Sequence, residues 1–303
     1  MAANVPASIK ARLLRRAHEE GDEFELFLVR YACERFLYRL SASGLRDSCV
    51  LKGAGLLTIW TGDPYRATRD IDLLASGPND EETVREAMIS VCTVPCDEDG
   101  LHFDTSTLQI ESIRAEEKYS GQRAVLTVYL GKAQIRLQVD FAFGDVVTPA
   151  PIDEDYPTLL DGLPAPRIRT YPRETAIAEK FQAMVYLGRT NSRMKDFHDV
   201  WALSEAFAFD GAELTRAVIE TFSRRETAWT RDVPEVLERR FYGIESLGAD
   251  WRTYLSRGAF EDPPPDFLAI GIRVMEFLGP VREAAMGLRD TPSRWAPGGP
   301  WGE

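Results

Sequence analysis

In Thr68-Arg69-Asp70-Ile71-Asp72-Leu73-Leu74, Asp70 and Asp72 alternate with Ile71 and Leu73, so 69–75 reads as a strand with one covered face. A second short apolar run, 48–51, reads as another strand and stops at Lys52-Gly53. Residues 54–60 are apolar enough for a helix, and Thr61-Gly62-Asp63-Pro64 is a loop. Further along, 79–91 has an acidic first turn and reads as a helix. Residues 108–114, 124–130 and 133–143 read as strands, with Gly131-Lys132 as a hairpin turn between the last two. Upstream, 8–43 carries helical periodicity broken at Gly21-Asp22, with Asp22 as the expected cap of the second helix. The first half is therefore a mixed α/β domain.

Prolines 149, 151, 157, 164, 166 and 172 make 145–172 an extended connector. Beyond it the pattern is helical, near 173–188, 195–208, 211–225, 233–242, 249–257 and 265–288, and the last residues, rich in Pro, Gly and Trp, read as a tail. The expected division is 1–150 for the N-terminal helices and α/β domain and 151–303 for an all-α domain. A length of 303 residues with 44% apolar content supports that much core. The net charge of −12 argues against a general nucleic-acid coat, which needs an excess of cations. With 4 Cys in no CxxC pair and 3 His, zinc clusters are nearly excluded. No signal peptide and no apolar run of membrane-spanning length is found, so the chain is expected in the cytoplasm with reduced thiols and no membrane partner.

The chemistry centres on Asp70 and Asp72. On a strand, residues i and i+2 point the same way with Cα atoms roughly 6.5–7 Å apart. Two carboxylates so placed suit a hard cation such as Mg²⁺, which takes carboxylate and phosphate oxygens and needs no His or Cys. Paired metals of this kind serve phosphoryl and nucleotidyl transfer. Gly53, between strand and helix, would let triphosphate oxygens approach backbone N–H groups, and Lys52 would add a cation. Both are equally compatible with an ordinary strand-to-helix turn. Thr68 is two residues before Asp70: a hydroxyl for a phosphate or metal-bound water, a point where phosphorylation would repel substrate, or a β-favouring residue. Asp140 interrupts the apolar run Val139-Asp140-Phe141, where an unpaired carboxylate is costly. A metal shared with Asp70 and Asp72 relieves that cost, and so does an arginine such as Arg136.

In the second half, Lys180 lies at the rim of the stripe Ile177, Phe181, Met184. The loop 188–195 adds Arg189, Arg193 and Lys195, cations able to grip a triphosphate or an RNA backbone. Asp196 and Asp199 would act there or cap the following helix, and His198 reads as structural rather than as a base. No GxxxxGK[ST] loop, GxSxG elbow or HExxH pair occurs.

Taken together, Val50-Leu51-Lys52-Gly53-Ala54, Thr68 to Leu74, Val139-Asp140-Phe141, Ala178-Glu179-Lys180 and Arg193-Met194-Lys195-Asp196-Phe197-His198-Asp199 resemble the AbiEii/AbiGii-type nucleotidyltransferase toxins of bacteria, within the DNA-polymerase-β-like nucleotidyltransferase superfamily. The resemblance spans roughly residues 30 to 210. It implies an α+β fold, a polymerase-β-like nucleotidyltransferase domain with a mixed sheet followed by an all-α domain. By the same resemblance the metal pair is Asp70 and Asp72, the third carboxylate Asp140, the lysine Lys180 and the helical-domain aspartate Asp196. The superfamily's Gly-Ser is Gly53-Ala54 here, so phosphate contacts fall to backbone N–H groups or Lys52. The activity implied is Mg²⁺-dependent transfer of NMP from an NTP to an RNA acceptor. Relatives act on the 3′ end of tRNA, which blocks translation and growth, and are paired with an antitoxin encoded alongside.

Two other readings fit the residues at this stage. One is a nucleotidyltransferase acting on a protein or small-molecule acceptor, towards which the acidic balance leans. The other is a binding module whose carboxylates are structural.

Overall fold

The computed structural model describes residues 4–62, 69–114, 120–258, 260 and 263–302. Its first helix, α1 (Val5–Glu20), starts at Asn4, whose side chain accepts from the Ala7 N–H, and ends at Gly21, whose φ of 74° only glycine adopts without strain. The second, α2 (Phe24–Ala42), is preceded by Glu23 and not capped by Asp22. Asp22 instead pairs with Arg30 at 3.7 Å.

Next come β1 (Cys49–Lys52), α3 (Gly55–Thr61), β2 (Ile71–Ala75), α4 (Glu81–Cys92), β3 (Leu101–Arg114), β4 (Ser120–Leu130) and β5 (Ala133–Phe143). Two short strands follow, β6 (Ile152–Asp155) and β7 (Arg167–Thr170). All the strands named so far form one mixed sheet in the order β3-β4-β5-β2-β1-β7-β6. β2 runs parallel to β5 and β1 parallel to β7, while the other neighbours are antiparallel. β3 begins earlier than the pattern suggests, because a register shift between Asp104 and Gln109 breaks its alternation.

On β4 and β5 the alternation is clean. Ala124, Leu126, Val128 and Leu130, with Ile135, Leu137, Val139 and Phe141, are buried on the face covered by α2 and α4. The residues between them, on the other face, are half-buried or exposed.

The expected connector is partly sheet. The Tyr171 N–H donates to the Leu51 carbonyl at 3.0 Å, extending the β1–β7 pairing, and β6 zips onto β7. These strands are four residues long and charged, held by pairs such as Arg46–Asp153 at 2.6 Å, so they carry no apolar period. The prolines lie outside both strands.

The chain divides into two units: Met1–Gly144 with Ile152–Tyr171, and Asp145–Pro151 with Pro172–Glu303. The boundary expected at 150 therefore falls within a short segment that belongs to the second unit, because 152–171 returns to the sheet.

The second unit contains α5 (Arg173–Leu187), α6 (Met194–Ala206), α7 (Gly211–Arg224), α8 (Glu245–Arg257) and α9 (Phe267–Ala285). The helix expected at 233–242 is two 3-10 turns, Glu235–Leu237 and Arg239–Gly243, separated by the extended Glu238. Phe197, Phe241, Tyr242 and Phe267 pack together in its core. The C-terminal segment is not a loose tail. β8 (Phe209–Asp210) pairs with β9 (Arg294–Trp295), and the buried Trp295 indole donates to the Ser204 carbonyl at 2.7 Å. Among the described residues no helix is long and apolar enough to cross a membrane.

Candidate active site

The sheet places a row of charges across adjacent strands. Lys52 on β1 is opposite Asp72 on β2, Asp72 is opposite Asp140 on β5, and Asp140 is opposite Arg123 on β4. Residues in register share a face, so all of these project from the side not covered by α2 and α4. Across β1, β2, β5 and β4 the order is plus, minus, minus, plus, and Glu111 on β3, opposite Arg123, adds a further carboxylate. Two carboxylates side by side repel, and the flanking cations offset that cost. Asp70 is half-buried and sits immediately before β2 rather than within it. Its negative charge, with that of Asp140, raises the Arg123 pKa, the hydrogen bond to Asp140 being the largest cause. Asp70 also adds to the effect of burial in pushing the Cys33 thiol up to about 12.

Gly53 has φ +69°, and a Cβ there would lie 2.0 Å from Asp72 Oδ2. The Asp72 carboxylate fills the space a side chain would take. The turn is thus built around the carboxylate, which an ordinary strand-to-helix turn does not require. The Lys52 ammonium sits 5.1 Å above the Tyr171 ring, a cation–π contact beside Asp72.

Asp140 is paired, but not with Arg136. Arg123 forks it, Nε donating to Oδ1 at 2.8 Å and Nη2 to Oδ2 at 2.7 Å, and the Gln138 amide lies 3.3 and 3.4 Å from the two oxygens. Arg136 donates to Gln138 instead, at 3.0 Å. It is four residues from Asp140 on the same strand, about 13 Å away along the backbone, whereas Arg123 is directly opposite.

Arg123 escaped the sequence reading, yet the signal was there. The turn at Gly131-Lys132 sets Leu130 against Ala133, and that register carries Arg123 to Asp140.

Among the described residues no group of three His, Cys, Asp or Glu side chains comes together to hold a metal ion. Asp140, expected beside Asp70 and Asp72, has both of its oxygens engaged by Arg123. The Asp70–Asp72 pair still fits Mg²⁺. Its donors are hard oxygens, and Mg²⁺ commonly takes one or two carboxylates with water and phosphate completing the shell. Thr68 lies outside the described residues.

Lys180 and Asp196 belong to the helical unit. Lys180, on α5, places its ammonium 3.0 Å from Asp196 Oδ1 and 2.7 Å from Asp199 Oδ2. Both carboxylates are on α6 and 1% exposed. Lys180 is therefore held in place and not a loose surface lysine, and Asp199 shares the role expected of Asp196. Arg193 also reaches Asp196, at 3.0 Å, and Arg189 is forked by Glu235. Lys195, the remaining cation of the proposed basic grip, is exposed. His198 is structural, as expected: Nδ1 is 2.8 Å from the Tyr254 hydroxyl, and the ring packs among Trp201, Trp251 and Phe260.

Comparison with known proteins follows the same lines. The family model described as "Nucleotidyl transferase AbiEii toxin, Type IV TA system" matches residues 35–271. No curated protein matches. Two solved structures from Helicobacter pylori are similar. One, a candidate nucleotidyltransferase, is 14% identical with a TM-score of 0.45 and covers 84% of this chain and 93% of its own. The other, JHP933, is 13% identical with a TM-score of 0.46, covering 84% and 90%. The family match, over residues 35–271, takes in the sheet strands β1 to β7 and the helices α3 to α8, and so the chain belongs to the AbiEii family of type IV toxin–antitoxin systems and is a nucleotidyltransferase.

Proposed function

We propose that this chain is the toxin of its pair and transfers NMP from an NTP to a hydroxyl at the 3′ end of RNA, tRNA in particular, with Mg²⁺. Such transfer would block translation and growth until the partner antitoxin opposes it. The observation that carries the site assignment is the row Lys52–Asp72–Asp140, with Gly53 shaped around the Asp72 carboxylate.

Asp70 and Asp72 would hold the cation. Bound there, Mg²⁺ would supply Lewis-acid stabilisation of charge on the transferred phosphoryl group and the leaving pyrophosphate. Backbone N–H groups following Gly53 would meet the β- and γ-phosphates, and Lys52 would offset their charge. Lys180 is proposed as a further cation required for transfer, its ammonium oriented by Asp196 and Asp199.

Incubation of the protein with each labelled NTP, Mg²⁺ and total RNA, resolved on a gel, tests the reading. A labelled band of tRNA size, absent with Asp70→Ala or Asp72→Ala, is expected. Label on protein or on a small molecule, with none on RNA, would overturn the acceptor. Full transfer by either mutant would overturn the site.

A further inference from the structure

Resting on that reading, we propose that Arg123 is the acceptor-side phosphate-binding residue of this site, and that Asp140 positions it. In-line displacement puts the attacking hydroxyl and the leaving pyrophosphate on opposite sides of the transferred phosphorus. The row across the sheet has a cation on either side of its central carboxylates. Lys52 and Gly53 flank Asp72 on the β1 side, where the leaving phosphates are assigned. Arg123 lies on the other side, beyond Asp140. With neighbouring strands about 4.8 Å apart, Arg123 and Lys52 are about 14 Å apart along the row, room for a phosphoryl group in line between its two neighbours.

The fork to Asp140 uses two of the five N–H groups of the guanidinium. The side chain is 36% exposed while Asp140 is only 15% exposed, and the exposed Glu111, opposite Arg123 on β3, adds to the negative charge that Arg123 faces. Asp140 thus fixes the plane of the guanidinium from below and leaves its outer edge to solvent. A planar cation presented in this way suits a phosphodiester. An acceptor whose reacting hydroxyl has a phosphodiester next to it, as the end of a nucleic acid strand does, would meet it. A protein or small-molecule hydroxyl would bring no such partner.

The test measures binding apart from turnover. Affinity for total tRNA is followed by fluorescence anisotropy in EDTA across a salt series, and affinity for inorganic tripolyphosphate with Mn²⁺ by calorimetry. Arg123→Gln is expected to weaken tRNA binding roughly tenfold and to lower the salt slope by about one contact. Tripolyphosphate affinity stays within about twofold, since Arg123 is placed away from the leaving phosphates. Arg123→Lys recovers most of the tRNA affinity, because a lysine still neutralises a phosphate. Asp140→Asn weakens tRNA binding but leaves Mn²⁺ affinity without nucleotide unchanged.

Unchanged tRNA affinity and slope in a folded Arg123→Gln protein overturns the proposal. So does a loss for tripolyphosphate as large as that for tRNA, and so does loss of Mn²⁺ binding in Asp140→Asn. The two readings fail separately. Wild-type protein that labels no RNA, yet binds tRNA through Arg123, keeps the contact and loses RNA as acceptor. Protein that labels tRNA while Arg123→Gln binds it normally does the reverse.

Discussion

At the level of single residues, the site depends on what surrounds each carboxylate. Gly53→Ala puts a methyl group into the Asp72 carboxylate and forces alanine to φ +69°. The backbone alone costs about 1–2 kcal/mol, and the clash adds to it. The expected result is a lower melting temperature and transfer reduced at least as far as a hundredfold, since the carboxylate is pushed from its place. Asp72→Ala removes the group the methyl would strike, so thermal melts of the double mutant should show much less than the sum of the single losses. Strict additivity would mean that the two groups do not touch. Lys180→Ala should act differently, because it leaves Asp196 and Asp199 buried and short of their shared cation. Breaking a buried pair in this way costs about 3–5 kcal/mol, which urea titration would read directly. Adding Asp199→Asn should recover part of it, whereas an unaffected midpoint would return Lys180 to the status of a surface residue. Asp70, Asp72 and Lys180 could be singled out in the sequence because the patterns that mark them are local. What Asp140 and Lys180 touch was not, since Arg123 and Asp199 reach them through strand register and helix packing.

Among the elements, α2 was read correctly as a helix, but its buried charges were not foreseen. Glu34 and Arg35 are both fully buried and lie 2.9 Å apart. Glu34 accepts from the Leu159 N–H, and Arg35 donates to the Pro164 carbonyl at 2.8 Å. Together they fasten the loop between β6 and β7, which explains why the proline-rich stretch folds back instead of leading away. Periodicity could not show this, because the partners are distant in the chain and polar. The long strands β4 and β5 and the helices α5 to α7 were legible from regular apolar spacing, whereas β6 and β7 were hidden by charge and shortness.

Burial pushes the Glu34 carboxyl up to about 7, against the pull of Arg35 and Arg16. A carboxyl raised in this way binds its proton more tightly in the folded protein than in the unfolded chain. Its contribution therefore falls as pH rises from about 4.5 towards 7 and is level above that, with a slope of at most about 1.4 kcal/mol per pH unit. Denaturant midpoints from pH 5 to 8 should decline to about 7 and then flatten, and Glu34→Gln should remove that decline. A mutant with the same pH profile as the wild type would show that Glu34 is not the group titrating.

For the whole molecule, the net charge of −12 has to be reconciled with the proposed RNA acceptor. The helical unit spends most of its central cations internally, on the pairs of Lys180, Arg189 and Arg193 with Asp196, Asp199 and Glu235. In the sheet unit Arg46, Arg39 and Arg167 are likewise matched to Asp153, Asp99 and Asp155. A protein charged in this way lacks the excess cations that make coat-like binders cling to any phosphate backbone. Its contact with RNA should be confined to a few phosphates near the reacting end. Each such contact on single-stranded RNA contributes about −0.7 to the slope of log affinity against log salt, so a handful predicts a slope no steeper than about −2 to −3. Raising salt from 50 to 200 mM should then weaken tRNA binding by roughly twentyfold to sixtyfold, far less than the 10³–10⁵ of proteins that neutralise six to ten phosphates. Random RNA of equal length should compete poorly unless its 3′ end can occupy the site. Anisotropy titrations at the two salt concentrations, with and without such a competitor, measure both effects. A thousandfold salt effect, or equal competition by internal RNA segments, would reveal a broad basic face that the paired arginines do not supply.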